Sequence, residues 1–336
     1  MAKKKGKNYI EELAEETRES NGSSFGRILM NIIFVICILG AIAFTAIFIY
    51  GTINPESQVF NLKNYNPFSA QDKTINASGD VVQFVPGLRF NHNDISYYIN
   101  ADCSESKKGK FENALFLVSD KTKIITFHST NEQDADILVG CSKQSYEQEK
   151  NVFVAGEGGP TEFIESKFYS VIKKGKVLLY DESKCDYPIT ELHELFHVFG
   201  FDHINDSRMI MYPYVECNQI INPELIKQLI KLYSVKPVAE LYFSNMTAVK
   251  TGMYLNFDSS IINDGLITAK AVTLELYAGN EKLNVFNLET VEFGSGVKYS
   301  AQNVKLPSAD IKTVTFKIVT TTDEFDKNNN IVELSV

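Results

Sequence analysis

The apolar positions of the chain change their spacing three times. Residues 28–50, ILMNIIFVICILGAIAFTAIFIY, form one unbroken apolar run with no charge, and Asn31 and Thr45 are its clearest polar side chains. At a rise of ~1.5 Å per residue this run spans a hydrocarbon core of ~30 Å with some tilt, which predicts a transmembrane helix. A buried core helix would carry a polar stripe, and a cleaved signal peptide has a shorter apolar core of ~7–15 residues. Arg18, Arg27 and the lysines at 3, 4, 5 and 7 precede the run, whereas the flank after it has only Lys63. The positive-inside rule then makes 1–27 a cytoplasmic tail and puts everything beyond 50 outside the cytoplasm, in a single-pass protein of the cell membrane.

Residues 51–88 are polar, with scattered Pro, Gly, Asn and Ser, and predict a stalk or linker. From 89 to 235 short strand-like runs (95–100, 123–129, 135–141, 175–181) mix with helical spacing. Phe111, Ala114, Leu115 and Val118 share one helix face, a second helix starts near 188, and Asn222-Pro223 opens a third. Residues 236–336 lose the helical period. The runs MYLNFDSSIIN, AVTLELYAG, TVTFKIVTT and NIVELSV alternate with turn signals such as Asn263-Asp264-Gly265, which predicts a small all-β sandwich. The fold class expected is therefore an α+β domain followed by an Ig-like sandwich, behind one N-terminal transmembrane helix.

Charge changes this picture little. The net charge of −9, with no basic stripe beyond the N-terminal lysines, argues against a nucleic-acid partner. Cysteine changes it more. Cys37 lies in the apolar run, and Cys103, Cys141, Cys185 and Cys217 form an even set beyond it. No pair has C-x-x-C spacing, so disulfides in an oxidising compartment are favoured over metal-bound thiols, which agrees with the charge-based orientation.

The chemistry is concentrated in residues 191–214, ELHELFHVFGFDHINDSRMIMYPY, which contain three of the five histidines of the chain. His193 and His197 stand one helical turn apart, so both imidazoles meet one Zn²⁺. Gly200 lets the chain leave the helix, with φ > 0 expected, and brings His203 back as a third ligand. Three protein ligands leave one coordination position open, the mark of a catalytic rather than a structural ion. Glu194, one residue round the helix, is the expected general base for a zinc-bound water, and hydrolysis of peptide bonds without a covalent intermediate follows. His92 and His128 are read as ordinary surface or core histidines.

The H-E-x-x-H-x-x-G-x-x-H run followed by SRMIMYP resembles the metzincin clan of zinc metallopeptidases, and most closely its matrixin-like branch. Matrixins usually have Gly where this chain has Phe196, and archaemetzincins carry Cys where Ile204 stands. The resemblance covers about residues 89–235. It implies a zincin-like catalytic domain with a mixed twisted sheet, a zinc helix, a Met-turn and a C-terminal helix. Met211 matches the turn methionine, a hydrophobic floor under the metal rather than a ligand. Tyr212 and Tyr214 become candidates for oxyanion or substrate contact, and 151–161 for an edge strand that pairs with extended substrate. Nearness in that fold selects Cys103–Cys141 and Cys185–Cys217 among the three connectivities available. The tail DEFDKNNNIVELSV resembles the end of the CARDB domain, an Ig-like module of prokaryotic surface proteins, over 238–336, which implies a spacer or a surface ligand of the C-terminal domain. The turn Asp323–Asn330 lacks the D-x-D-x-D-G spacing of a calcium loop and is read as a solvated hairpin turn, so calcium is left without support.

The function expected is thus a membrane-anchored, extracytoplasmic zinc-dependent endopeptidase with one catalytic zinc ion, acting on a protein or peptide substrate. The alternative is a surface adhesion or binding protein with an inert metzincin-like domain.

Overall fold

The computed structural model describes residues 30, 32–36, 38–39, 57–61, 64–65, 80–143, 147–149, 152–166, 169–180 and 185–336. Most of the expected transmembrane run 28–50 lies outside the described residues. Met30, residues 32–36, Ile38 and Leu39 are helical within it, and among the described residues no helix is long and apolar enough to cross a membrane.

In chain order the elements are β1 (Ser57–Asn61), β2 (Asn64–Tyr65), β3 (Leu88–Arg89), β4 (Asp94–Ile99), α1 (Glu105–Thr122), β5 (Thr126–Ser129), β6 (Ile137–Cys141), β7 (Glu147–Glu149), β8 (Val152–Phe153), β9 (Gly156–Glu165), β10 (Ser170–Leu179), α2 (Ile189–Val198) and α3 (Pro223–Tyr233). They are followed by β11 (Leu241–Thr251), β12 (Tyr254–Asn263), β13 (Ala269–Ala278), β14 (Glu281–Val291), β15 (Ser295–Lys305), β16 (Thr313–Val319), a 3₁₀ turn (Asn328–Asn330) and β17 (Ile331–Ser335).

The first domain is a mixed sheet in the order β2-β9-β10-β6-β4-β5, with β3 beside β10. Strands β4, β5, β6 and β10 pair in parallel, and β9 runs antiparallel to β10 at the edge. Helix α1 starts where the Ser104 side chain accepts from the Lys107 amide, and it buries Phe111, Ala114, Leu115 and Val118 on one face, the spacing expected from the sequence. Helix α3 has Pro223 in its first turn, and Asn222 accepts from the Glu224 amide at 2.8 Å. The fully buried Arg89 donates to the carbonyls of Leu232 and Val235, so it satisfies acceptors in the last turn of α3 and just past it and ties that helix to β3.

The second domain is a sandwich of two four-stranded sheets, β1-β15-β12-β11 and β14-β13-β16-β17. Alternation builds its core: in β12, Leu255, Phe257, Ser259 and Ile261 point inward while their neighbours are more exposed.

Strand β1 lies within residues 51–88, the expected stalk or linker. Residues 57–61 pair antiparallel with β15 in the register Ser57↔Tyr299 to Asn61↔Ser295, and Asn64 and Tyr65 pair with Ile164 and Phe163 of β9. One short segment therefore joins the sheets of both domains. Its pairing uses backbone groups, and four of the five β1 residues are exposed, so no hydrophobic period marks it in the sequence.

Candidate active site

Helix α2 carries the H-E-x-x-H residues on a shelf formed by β9 and β10, and all ten of its residues are buried. Its last turn ends at Gly200, whose φ of +85° is the left-handed conformation expected there. A side chain at this position would also place its Cβ 2.5 Å from Leu88 Cδ2. The chain then reverses and delivers His203.

The three imidazoles converge. His193 Nε2 lies 3.0 Å from His197 Nε2 and 3.1 Å from His203 Nε2, and the last pair is 3.1 Å apart. His193 Nδ1 lies 2.6 Å from the Ile210 carbonyl, and His197 Nδ1 lies 2.7 Å from the Phe201 carbonyl. A carbonyl only accepts, so each of these Nδ1 atoms carries the proton and each Nε2 presents its lone pair to the centre. Lone pairs meeting at this distance repel unless a cation lies between them. Tetrahedral ligands at ~2.0–2.1 Å from one ion stand about 3.3 Å apart, close to the observed separations. The donor set therefore fits zinc, and the carbonyls of Ile210 and Phe201 are the outer partners that orient two of its ligands.

Glu194 follows His193 and is 4% exposed. Strand β9 crosses directly above it: a Cβ at Gly156 would lie 2.8 Å from Glu194 Cγ, and one at Gly158 would lie 2.1 Å from the Glu194 carbonyl oxygen. Met211 is 1% exposed, and its carbonyl accepts from the Ile204 amide at 3.0 Å, so the turn that carries it is bonded to the residue after His203. Tyr212 is half-buried and Tyr214 is 45% exposed, with their rings 5.6 Å apart. Beyond His203, Arg208 donates to both oxygens of Asp206 at 3.0 and 2.7 Å and holds its carboxyl down at about 2.

Disulfides join Cys103 to Cys141 and Cys185 to Cys217, the second connecting the approach to α2 with the loop beyond Met211. Among the described residues, His193, His197 and His203 are the one group of three or more His, Cys, Asp or Glu side chains whose ligand atoms lie within 4.8 Å of one another.

Residues 89–234 match the matrixin family model. This part of the chain resembles a matrixin domain. The match supports a zinc metallopeptidase in general, and the family implies zinc at the three histidines. No curated protein matches the chain. A solved structure similar to part of the chain is the CARDB domain of a Pyrococcus furiosus protein in complex with di-metal ions, 11% identical, covering 30% of this chain and 87% of that one with a TM-score of 0.24.

The matrixin domain also depends on residues that carry no motif. Gln83, within the expected stalk, donates to the carbonyls of Leu88 and Phe199 at 2.6 and 2.8 Å, while the Phe84 amide donates to the Gly200 carbonyl and the Asp202 amide to the Val82 carbonyl. The chain just before the matrixin domain therefore holds the turn that presents His203. Gln219 holds the loop after Met211 by donating to the Tyr214 carbonyl at 2.8 Å. A single polar residue in a loop gives no spacing signal, so sequence reading passes over both.

Proposed function

We propose that the chain is a membrane-anchored zinc endopeptidase with one catalytic ion, whose matrixin domain and β-sandwich both face away from the cytoplasm. The observation that carries the chemistry is the convergence of three Nε2 atoms beside a buried glutamate on the helix of the first two histidines. Zinc held there would polarise the scissile carbonyl and lower the pKa of a water toward ~7. Glu194 accepts the proton of the attacking water and returns it to the departing amine. Beyond its short pairing with β2, the outer edge of β9 offers backbone groups to an extended peptide, which aligns the scissile bond over α2 by strand addition.

The location is supported by the uncharged run 28–50, by the cations gathered before it and by the two disulfides, which favour an oxidising compartment.

The test is zinc content and cleavage of a broad peptide library by the purified full chain, with Glu194→Gln as control. The expected result is one zinc per chain, cleavage by the wild type, and a roughly 10²–10⁴-fold loss in the variant with zinc retained. Zinc without cleavage would instead favour a binding protein with an inert domain. Protection of the sandwich from protease added to intact cells would overturn the orientation.

A further inference from the structure

The β-sandwich holds one buried and one half-buried carboxylate that no cationic side chain pairs. Glu240, just before β11, is 0% exposed, and Glu324, after β16, is half-buried. Among the described residues no Lys, Arg or His forms an ion pair with either. Buried carboxylates are normally paired with cations or bound to a metal. Here the partners are weaker. Asn329 Nδ2 donates to Glu240 Oε1 at 2.6 Å, and the Asp326 amide donates to Oε2 at 2.9 Å. Asn330 Nδ2 reaches both oxygens of Glu324 at 2.9 and 3.1 Å, and the Leu241 amide reaches Oε2 at 3.1 Å. Burial and then the charge of Glu240 push the Glu324 carboxyl above its usual range.

The two asparagines supply the second observation. Asn330 is 3% exposed, and its Oδ1 is buried without a hydrogen-bond partner; Oδ1 of Asn329 is likewise buried and unpartnered. A carboxamide is nearly symmetric in shape, so a half-turn of the amide puts Oδ1 where Nδ2 now meets the carboxylate. Both orphan oxygens then face the two glutamates. The result is an all-oxygen set from Glu240, Glu324, Asn329 and Asn330, the donor chemistry of a hard divalent cation. Calcium accepts irregular sets of 6–8 oxygens, including amide carbonyls, whereas magnesium demands near-ideal octahedral geometry.

We propose that Glu240, Glu324, Asn329 and Asn330 form a calcium site that locks the linker between the two domains. The linker passes through it. The Ala239 amide donates to the Asp323 carbonyl and the Phe325 amide to the Ala239 carbonyl, so residues 239–241 are laced to 323–325. Phe325 in turn lies 5.8 Å from the Tyr169 ring of the matrixin domain, and Ser166 Oγ donates to the Asp264 carbonyl at 3.1 Å. A cation that fixes Glu324 against Glu240 fixes this seam. The sequence could not show the site, because Glu240 stands 84 positions before Glu324 and the turn has no calcium-loop spacing.

Isothermal titration of Ca²⁺ into the zinc-loaded full chain tests this, with Mg²⁺ as comparison and with Glu324→Gln and Asn329→Ala as variants. Expected is one calcium site with a Kd of about 10⁻⁵–10⁻³ M, weaker Mg²⁺ binding, a calcium-dependent rise in Tm, and at least a ten-fold loss of affinity in each folded variant. Asn329 is only half-buried, so its variant keeps the test decisive if Glu324→Gln does not fold. Absence of calcium binding in the wild type up to roughly 10 mM, well above the weakest class of extracellular sites, would overturn the proposal. So would binding that is unchanged in either folded variant.

Discussion

A Cβ at Gly158 would lie 2.1 Å from the carbonyl oxygen of Glu194, so β9 and the helix that carries Glu194 touch backbone to backbone. Only glycine permits this approach. Gly158→Ala is expected to lift β9 from α2 by a fraction of an ångström to an ångström. Displacements of that order near reacting groups lower rates by up to about 10²-fold. Zinc content should stay at the wild-type level, because the variant does not touch a histidine. Steady-state kinetics alongside metal analysis checks this, and unchanged kcat/KM would show that the contact is not needed for catalysis.

Removal of the metal should loosen the region that the three histidines close. With zinc at 1,000 times its Kd, linkage contributes about 4 kcal/mol to stability. Chelation is therefore expected to lower Tm, and added zinc to restore it. His203→Ala should abolish that response, since two histidines one turn apart remain but the ligand delivered by the Gly200 turn is lost. Scanning calorimetry of both proteins with and without chelator decides the matter.

Asp136 is a stability site away from the chemistry. Its Oδ2 accepts from Ser96 Oγ at 2.6 Å, from the Ser96 amide at 2.8 Å and from His92 Nε2 at 3.0 Å. Burial by itself would raise this carboxyl; the hydrogen bonds from His92 and Ser96 outweigh it and hold the pKa below its ordinary value. Because the folded value is depressed, the stabilisation is complete above the unfolded pKa of about 3.9 and is lost as pH falls through the folded one. Asp136→Asn is expected to cost about 1–3 kcal/mol at neutral pH. Denaturant midpoints of variant and wild type should converge in acid; a gap that persists at low pH would assign the loss to packing instead.

The Cys185–Cys217 bridge spans 32 positions and encloses the whole zinc motif. Chain entropy alone gives a loop of that size about 3–4 kcal/mol of stabilisation. The double variant Cys185→Ser, Cys217→Ser should lose an amount of this order in urea unfolding at constant zinc. The loop after Met211 should become the first site of limited proteolysis, because only hydrogen bonds, from Gln219 and through the backbone of Ile220, are then seen to hold it.

Much of the fold was legible because its signals are local. The face of α1, the Asn222-Pro223 start of α3, and strands β4 to β6, β12, β13, β16 and β17 all follow from spacing within a few residues. Strands β11, β14 and β15 were harder to see. Their exposed positions are numerous and their buried ones irregular, so alternation is weak in the sequence. Strand β1 was invisible, since what makes it a strand is the unpaired edge of β15, some 240 positions away.

The site divides the same way. Sequence determined the identity of the three histidines, the glutamate between them and the glycine that ends their helix, because helical periodicity alone sets two ligands one turn apart. Tertiary structure decided the rest. It fixed the tautomers of two rings through the Ile210 and Phe201 carbonyls, laid the glycines of β9 against Glu194, and used Gln83 to hold the turn that carries His203. It also gathered Glu240 with Glu324 and two asparagines. Each of these is an encounter between segments far apart in the chain, formed only when the core brings their backbones within hydrogen-bonding distance.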